Sequence, residues 1–449
     1  MLCSASDKQN PKLVYRKISE LRPYNSNART HSKKQIDQIA ESISRFGFTN
    51  PVLVSDDLEI IAGHGRVRAA QQIEMEEVPT IALSHLTDAE RRAHVLADNK
   101  LALNAGWDQE ILAIELQSLI DLEFDVEITG FSAAEIDFTL DLAREASLDG
   151  SDSAEDQLPD ADAVAISLAG DVWTLGKHRL ICGDARERSD YELLLQGEFV
   201  DLIFTDPPYN VSIDGNVTGL GKHKHREFAM AAGEMNREEF VSFLQASLEP
   251  AASVCRDGAI DYICMDWRHI GELLEAGVKI FKDHKNLIVW NKTNGGMGSF
   301  YRSKHELIAV FKKGSAPHTN NFGLGDAGRY RTNVWDYPGV SSMGNDRDEA
   351  LAMHPTVKPV ALIADALRDC SKRGDIILDC FGGSGSTLIA AETTGRSARL
   401  IEYDPLYCDT IVWRWQEYTG KFATLTAGNQ TFDEIASIRT QSPKMEVAQ

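Results

Sequence analysis

The stretch that decides the fold is Asp375-Ile-Ile-Leu-Asp-Cys-Phe-Gly-Gly-Ser-Gly-Ser-Thr387. Its pattern predicts a buried strand, then a turn that contains Gly382, Gly383 and Gly385, and then the start of a helix. Glycines let the backbone approach a ligand closely, and the amide groups at the start of a helix face that ligand. The turn is not a phosphate-binding P-loop, because the Gly-Lys-Ser/Thr ending is absent. We therefore expect a nucleotide-like ligand at this turn.

A carboxylate on the next predicted strand narrows the choice of ligand. The segment Ala398-Arg-Leu-Ile-Glu402 places Glu402 twenty residues after Gly382. A carboxylate at such a strand end can accept hydrogen bonds from both hydroxyls of a ribose. The turn and the carboxylate together suggest a cofactor that contains adenosine. They leave a dinucleotide and S-adenosylmethionine as the two alternatives.

A second motif follows another predicted strand. Val200-Asp-Leu-Ile-Phe-Thr runs directly into Asp206, Pro207, Pro208 and Tyr209. The two prolines fix φ and remove two backbone donors, so this tip is stiff and presents a carboxylate, free carbonyls and an aromatic ring. The amine of adenine is a poor nucleophile because its lone pair is delocalised into the ring. If Asp206 and a proline carbonyl accept both amine hydrogens, they expose that lone pair to a methyl donor while Tyr209 stacks on the base.

The sequence around these motifs alternates between predicted strands and helices from Val164 onward. This alternation indicates an α/β fold with a mostly parallel, doubly wound sheet. The predicted strands are residues 179–182, 200–205, 259–265, 286–290, 306–311, 375–379 and 397–401.

The rest of the chain divides by composition and by capping signals. Residues 12–100 predict a small α+β domain, and residues 101–146 predict a helical extension. The segment 147–163 is rich in Asp, Ser, Glu and Ala and is expected to be an acidic linker. The α/β domain is expected over residues 164–430, and residues 431–449 are interpreted as a tail.

The charge is unevenly distributed along the 449 residues. The whole chain carries 46 basic and 68 acidic side chains, a formal net charge of −22, but residues 101–170 alone hold 17 acidic residues and one basic residue. Residues 279–331 carry ten Lys or Arg against three acidic residues, and Lys222-His-Lys-His-Arg226 is a second basic run. The total therefore does not exclude nucleic acid, and the two basic stretches could follow phosphates if catalytic residues lie beside them.

Other classes are excluded by simple patterns. No apolar run approaches the roughly 20 residues that span a bilayer, and the first residues are polar, so we expect a cytoplasmic protein without a membrane partner. The seven cysteines are scattered and never form a C-x-x-C pair. We expect reduced, buried thiols and no bound metal.

The Asp206–Tyr209 tip and the Asp379–Gly385 turn resemble the catalytic and cofactor motifs of the amino-group DNA methyltransferases. The catalytic motif precedes the cofactor motif by about 175 residues, which is similar to the permuted β group of that family. The resemblance covers about residues 165–430. It implies a Rossmann-like sheet and base flipping in duplex DNA, with methyl transfer from S-adenosylmethionine to adenine N6. Asp before Pro-Pro-Tyr favours adenine over cytosine N4.

The resemblance also implies which residues serve each role, with residues 312–353 in the position of the target-recognition region. The catalytic residues would be Asp206, Pro207, Pro208 and Tyr209. The cofactor contacts would be Asp379, Phe381, Gly382, Gly383, Gly385, Ser386, Thr387, Glu402, Asp184, Thr356 and Lys358. The basic residues expected to contact DNA are Lys222, Lys224, Arg226, Lys292, Arg302, Lys304, Arg329 and Arg331.

The front domain resembles the ParB-like and sulfiredoxin-like domains. In partition proteins the glycine-arginine segment holds a nucleotide, which implies a nucleotide or phosphate at Gly63, Arg66 and Arg68. This sequence has His64 and Gly65 where the family usually has Glu-Arg. The segments that carry the resemblance are residues 21–25, 50–54, 63–69 and 97–100.

Three alternatives to an adenine methyltransferase stay open at this point. The first is a cytosine-N4 methyltransferase. The second is a nucleotide-regulated, ParB-like DNA-binding protein with a vestigial methyltransferase half, and the third is a dinucleotide-dependent oxidoreductase that leaves Asp206–Tyr209 unexplained. The sequence leaves open the DNA site, a homodimer, and an accompanying restriction enzyme of a restriction-modification system.

Overall fold

The computed structural model describes most of the chain, in two compact units. The described residues are 12–24, 28–103, 106–122, 124–147, 164–211, 231, 233–292, 301–322, 331–338 and 357–441. The two units are Met1–Ala146 and Ser147–Gln449. Within the described ranges no helix is both long and apolar enough to span a bilayer. The six cysteines there are buried and unpaired, as predicted.

The first unit is a small α+β domain followed by helices. Its elements are β1 Leu13–Lys17, α1 Lys33–Phe46, β2 Val52–Val54, β3 Ile60–Ala62, α2 His64–Gln72, β4 Glu77–Ala82, α3 Asp88–Leu103, α4 Gln109–Asp121 and α5 Ala133–Ser147. The strands form one sheet in the order β1-β4-β2-β3. The central strands β2 and β4 are parallel, and their buried residues pack with those of α2.

The helix starts of this unit follow the capping patterns of the sequence. Ser32 accepts the backbone N–H of Gln35 at 3.1 Å and begins α1, and Gly47 ends that helix at φ +80°. At the start of α3, Glu90 accepts hydrogen bonds from the backbone and hydroxyl of Thr87. These side-chain caps satisfy amide groups that a helix start leaves without partners.

The second unit alternates strands and helices. Its elements are β5 Val172–Leu175, β6 His178–Cys182, α6 Arg188–Leu195, β7 Val200–Thr205, α7 Arg237–Ser253, β8 Cys255–Met265, α8 Ile270–Ile280, β9 Asp283–Asn291, β10 His305–Lys312, β11 Val334–Asp336, α9 Val360–Cys370, β12 Ile376–Asp379, α10 Ser386–Thr393, β13 Ser397–Glu402, α11 Pro405–Thr419, β14 Thr424–Leu425, β15 Gln430–Thr431 and α12 Phe432–Gln441. All seven predicted strands are present.

The strands of this unit form one sheet in the order β11-β9-β10-β8-β7-β12-β13-β6-β5-β14-β15. Strands β8, β7, β12, β13 and β6 are parallel neighbours in the centre. Strand β10 runs antiparallel to both β8 and β9, and β5 runs antiparallel to β6. The order changes direction between β7 and β12, and ligands bind beyond the carboxyl ends of the strands at such a switch point.

Both faces of the central sheet are buried under helices. Leu202 and Phe204 of β7 belong to one apolar cluster, to which α9, α10 and α11 contribute. Ile203, which points to the opposite face, belongs to a second cluster with residues of α6. A strand that is buried on both sides reads as a continuous apolar run, which is why β7 and β12 were predicted from the sequence. The fold is the expected doubly wound α/β sheet.

Candidate active site

The two motifs of the second unit meet at the switch point of its sheet. Leu202 and Ile203 of β7 pair with Ile377 and Leu378 of β12 in parallel register. The loops that follow these two strands therefore begin side by side, although they are far apart in the sequence. Asp206 begins one loop, and the glycine turn begins the other. The structure thus places the predicted catalytic tip beside the predicted cofactor turn.

Asp379 joins the two loops through hydrogen bonds. Its Oδ1 accepts the hydroxyl of Thr205 at 2.8 Å and the backbone N–H of Phe381 at 3.1 Å. Its Oδ2 accepts the hydroxyl of Thr387 at 2.7 Å. Burial raises the pKa of Asp379 to about 7. Asp379 and Thr387, which we expected to contact the cofactor, are turned toward each other and hold the turn in place.

The glycine turn needs glycine at defined positions. Gly383 and Gly385 have φ of +52° and +82°, a region that other residues rarely adopt. A Cβ on Gly385 would lie 3.2 Å from Ile411, and one on Gly382 would lie 3.1 Å from the same side chain. Ser386 is buried and its hydroxyl lies 3.2 Å from a guanidinium nitrogen of Arg414. The backbone of the turn is therefore the part that can face a ligand.

Glu402 lies at the end of β13, next to this turn. Its Oε2 accepts the N–H of Gly383 at 2.7 Å, and its Oε1 accepts the N–H of Asp404 at 2.8 Å. Burial raises the pKa of Glu402 to about 7. Because each carboxylate oxygen has two lone pairs, both oxygens can accept a further hydrogen bond. The donor groups that fit this arrangement are the two hydroxyls of a ribose.

Asp184 is near Glu402 because β6 pairs with β13. Cys182 is the register partner of Glu402, and Gly183 N–H donates to the Glu402 carbonyl at 2.9 Å. The Asp184 carboxylate accepts the N–H of Arg186 and forms an ion pair with its guanidinium at 2.6 Å. This ion pair lowers the pKa of Asp184. The glycine turn, Glu402 and Asp184 therefore share one edge of the sheet, and together they fit an adenosine.

The catalytic tip has charged neighbours that the sequence did not predict. Pro207 is buried and Pro208 is half-buried. The Tyr209 hydroxyl donates to Asp206 Oδ1 at 2.6 Å, and Lys358 Nζ donates to Asp206 Oδ2 at 2.5 Å. Lys358 was expected to contact the cofactor, but the structure places it on the Asp206 carboxylate.

Glu306 completes this group from the far side. Its Oε2 lies 3.0 Å from Lys358 Nζ and 3.2 Å from the Tyr209 hydroxyl, and its Oε1 pairs with Lys292. The Lys292 ammonium also lies 4.4 Å from the centre of the Trp290 ring. Lys292, which was expected to contact DNA, is thus paired with a buried carboxylate.

The direction of β10 explains this contact. The strand is antiparallel to β8 and β9, so its first residues lie at the edge where the parallel strands end. Glu306 is the second residue of β10 and therefore lies beside the loop after β7. The family resemblance implies that Trp290–Lys292 and His305–Glu306 belong to the two strands behind the target base. A sequence pattern does not give the direction of a strand, however, and so it did not predict the contact of Glu306 with Lys358.

The pKa values in this group follow from burial and ion pairing. Burial raises the pKa of Asp206 above its usual value, although Lys358 acts to lower it. The two lysines lower the pKa of Glu306 to about 2 against the opposing effect of burial. Asp206 and Glu306 raise the pKa of Lys358 above its usual range, although burial acts in the opposite direction. Glu306 and Lys358 are therefore charged at neutral pH.

The remaining predicted DNA contacts fall into three groups. Arg302 and Lys304 are exposed just before β10. The expected DNA contact of Arg331 is corrected by the structure. Its guanidinium lies 2.8 Å from Asp369 and 3.0 Å from Asp365, both on α9. These carboxylates make it a structural residue. Lys222, Lys224, Arg226 and Arg329, and the predicted cofactor contact Thr356, lie outside the described residues.

The expected phosphate segment of the first unit is largely occupied by internal contacts. Gly63 has φ of +104° and precedes α2. The Arg66 guanidinium donates to the carbonyls of Asn50 and Pro51 at 2.6 and 3.1 Å. Arg68 is exposed. Arg66 thus stabilises the loop before β2, and Arg68 is the arginine that a phosphate could reach.

Three sequence profiles match this chain. The DNA methylase profile matches residues 200–412. The profile of the ParB N-terminal domain matches residues 4–100, and that of the ParB-methyltransferase HTH domain matches residues 110–168. The methylase match contains both Asp206 and the glycine turn.

Individual relatives agree with these profiles. The ParB-like nuclease domain-containing protein YnaK of Escherichia coli strain K12 is 57% identical over 81 residues, which are 18% of this chain and 93% of that protein. The type II methyltransferase M.HpaI of Haemophilus parainfluenzae is 28% identical over 247 residues, which are 51% of this chain and 72% of that protein.

Solved structures give weaker matches. A DNA modification methylase from Thermus thermophilus, in complex with S-adenosyl-L-methionine, has a TM-score of 0.39 and 22% sequence identity. The match covers 55% of this chain and 96% of that one. At a TM-score this low, the likeness adds nothing to what the sequence profiles establish.

Proposed function

Because this chain belongs to the N6/N4 DNA methylase family and carries a ParB N-terminal domain, we propose that it methylates the exocyclic N6 of adenine in duplex DNA. One observation carries this proposal: the hydrogen bond from Thr205 to Asp379 fixes the loop of Asp206 beside the glycine turn. The tip that accepts an amine and the turn that accepts a cofactor therefore open on the same edge of the sheet.

The methyl donor is S-adenosylmethionine, which supplies an electrophilic methyl group on a sulfonium. Glu402 accepts its ribose hydroxyls, and the backbone around Gly383 and Gly385 allows the cofactor to approach. This assignment is supported by the buried carboxylate at 2.7 Å from the Gly383 amide and by the family of the chain. Asp379 acts on the cofactor site through the turn that it holds.

The catalytic step is an in-line displacement at the methyl carbon. The Asp206 carboxylate and a carbonyl of Pro207 or Pro208 accept the amine hydrogens, and Tyr209 stacks on the base. The N6 lone pair forms the new N–C bond, and the electrons of the breaking C–S bond stay on sulfur. N6 then transfers one proton to water, which removes its positive charge. The protein contributes orientation and hydrogen bonds that strengthen as that charge develops.

The target base must leave the helix before this step. Extrusion costs a few kcal/mol, which stacking and phosphate contacts offset. The exposed Arg302 and Lys304 precede β10, the strand that carries Glu306 into the site. They are the described residues that we assign to the phosphates of duplex DNA.

Cytosine N4 is the second candidate, because the same geometry suits any exocyclic amine beside a ring nitrogen. The Asp at position 206, in place of Ser, favours adenine. The test is to incubate duplex DNA of varied sequence with methyl-labelled S-adenosylmethionine and to analyse the nucleosides. N6-methyladenine supports the proposal, and N4-methylcytosine supports the second candidate. DNA binding without label would identify a vestigial methyltransferase half.

A nucleotide at the first unit is a separate proposal. Arg68 is exposed beside the turn of Gly63, whereas Arg66 is bound to backbone carbonyls. Equilibrium binding of labelled CTP to the full chain tests it, with Arg68→Ala as the variant that should lose binding. Unchanged binding in that variant would exclude Arg68 from the site.

A further inference from the structure

Four charged side chains lie together at the catalytic tip, and three of them are largely removed from solvent. They are Asp206, Glu306, Lys358 and Lys292, and we call them the charge cluster. The side chains of Lys358, Glu306 and Asp206 are only 4%, 12% and 18% exposed. The cluster contains two carboxylates and two ammonium groups, so its charges balance when all four are ionised. Charges that leave water are stable only when they are paired in this way.

Lys358 lies at the centre of this cluster. Its ammonium is 2.5 Å from Asp206 Oδ2, 3.0 Å from Glu306 Oε2 and 3.1 Å from the Tyr209 hydroxyl. An ammonium has three donor positions and a hydroxyl can accept one of them, so these partners match its capacity. The ammonium is therefore held by three partners, two of which are the carboxylates of Asp206 and Glu306.

The other groups that face Asp206 change its pKa in the direction opposite to Lys358, or change it less than Lys358 does. Tyr209 on its own loop donates a hydrogen bond to Oδ1 at 2.6 Å. Cys264 of β8 and Asp379 of β12 also interact electrostatically with Asp206. Lys292 of β9 is paired with Glu306 and not with Asp206. Among the described residues, Lys358 is therefore the cation in direct contact with this carboxylate.

We propose that Lys358 is a positioning residue that keeps the Asp206 carboxylate ionised and oriented for the target amine, and that Glu306 holds Lys358 in place through a second ion pair. This inference rests on the proposed function. It assigns Lys358 to the catalytic carboxylate and not to the cofactor, and it gives Glu306 a role in the same reaction.

The need for such a residue follows from the burial of Asp206. Burial raises the pKa of Asp206, Lys358 lowers it, and the negative charge of Glu306 raises it. A protonated carboxyl group would present a donor to the amine and lose part of its capacity to accept hydrogen bonds. Removal of Lys358 should therefore raise the pKa of Asp206, whereas removal of the Glu306 charge should lower it.

The experiment compares the pH dependence of methyl transfer in four full-length proteins: wild type, Lys358→Met, Lys358→Arg and Glu306→Gln. The acidic limb of kcat/KM reports the ionisation of a group in the free enzyme. We expect Lys358→Met to move this limb to higher pH by roughly one to three units, because an opposite charge in contact shifts a carboxyl by that amount. Its activity should recover partly in alkaline buffer, and Lys358→Arg should restore the limb.

Glu306→Gln provides the matched variant with the opposite sign. It removes a negative charge near Asp206 but keeps the shape of the side chain, so the acidic limb should move to lower pH. Damage to the fold could reduce activity in both variants, but it would not move their limbs in opposite directions. The affinity for S-adenosylmethionine, measured by calorimetry, should stay within about threefold in Lys358→Met.

Two results would overturn the inference. One is a loss of activity in Lys358→Met or Glu306→Gln that is the same at every pH. The other is a large loss of S-adenosylmethionine affinity in Lys358→Met with an unmoved acidic limb, which would make Lys358 a cofactor contact. If wild type itself transfers no methyl group to DNA, the proposed function fails, and that outcome is distinct from both.

Discussion

Asp206 and the residues that we propose for cofactor binding lie on different loops, so chemistry and cofactor binding should be separable by single substitutions. We expect Asp206→Ala to reduce methyl transfer by at least about a hundredfold, since loss of one preorganised hydrogen-bond partner of a transition state has that effect. The affinity for S-adenosylmethionine should change by no more than a few fold. Single-turnover transfer and calorimetry measure the two quantities.

The control for this substitution is Asp433→Asn, an exposed carboxylate at the start of α12. It should leave both quantities unchanged. Substantial transfer by Asp206→Ala would show that another group activates the amine.

The buried carboxyl of Asp379 makes the stability of the ligand-free protein depend on pH. Its pKa is raised from 3.8 to about 7. A carboxyl with a raised native pKa stabilises the fold fully below its unfolded pKa, and this contribution is lost as the pH rises through about 7. The free energy of unfolding should therefore fall, from this group, between about pH 4 and 8.

Asp379→Asn tests this dependence with little change in shape. Oδ2 of Asp379 accepts only a hydroxyl, from Thr387, and a hydroxyl can reverse its hydrogen bond to an amide. We expect the difference in the free energy of unfolding, variant minus wild type, to be more positive at pH 8 than at pH 5, as measured by urea unfolding. An identical difference at both pH values would contradict the raised pKa.

Single residues differed in how well the sequence predicted them. Asp206, Gly383 and Glu402 stood in motifs whose chemistry is local, and the structure brought them to one edge of the sheet. The contact of Lys358 with Asp206 was not predictable, because the two are 152 residues apart and meet only through the sheet. Arg331 looked like a phosphate contact because a sequence does not show the carboxylates of α9 around it.

At the level of elements, the turn between β12 and α10 is the part most sensitive to substitution. Gly385 has φ of +82°, and a Cβ there would meet Ile411 at 3.2 Å. Gly374, at φ of +85°, has no atom within 4 Å of the same position. Both alanine variants carry the backbone cost of about 1–2 kcal/mol, but only Gly385→Ala should also displace the turn.

A comparison of Gly374→Ala with Gly385→Ala separates the effect of backbone strain from the effect of a displaced turn. We expect Gly374→Ala to lower the free energy of unfolding and to leave cofactor affinity unchanged. Gly385→Ala should lower the free energy of unfolding further and weaken S-adenosylmethionine binding at least tenfold in calorimetry. Equal cofactor affinity in the two variants would mean that the turn does not contact the cofactor.

Strands that are buried on both faces in the centre of the sheet were predicted well, and short strands at its periphery were not. Strands β7, β12 and β13 are apolar runs that end in turn residues, so their pattern is unambiguous. Strands β5, β11, β14 and β15 have two to four residues and gain their order from pairing with neighbours. Such short segments carry too little pattern of their own.

For the molecule as a whole, the two compact units divide the proposed functions. The residues assigned to S-adenosylmethionine all belong to the unit Ser147–Gln449. We expect saturating S-adenosylmethionine to slow amide hydrogen exchange at the turn after β12 and at Glu402, and to leave the strands β2 and β4 of the first unit unchanged. Exchange measured by mass spectrometry on the full chain checks this.

This exchange experiment has an internal control, because the proposed CTP site lies in the other unit. Protection of β2 and β4 by S-adenosylmethionine would contradict the division of functions.

The net charge of −22 did not exclude a DNA-binding protein, since most of it lies within residues 101–170.

The neighbouring positions of β7 and β12 have a consequence for how such a protein can be encoded. The two motifs meet because β7 and β12 are neighbours in the sheet. The order of these motifs along the chain is therefore irrelevant to the chemistry. A gene rearranged to start between β11 and α9 would translate the glycine turn first and still build the same cleft. Two polypeptides made from separate genes could form the same cleft as well, provided that β7 of one pairs with β12 of the other.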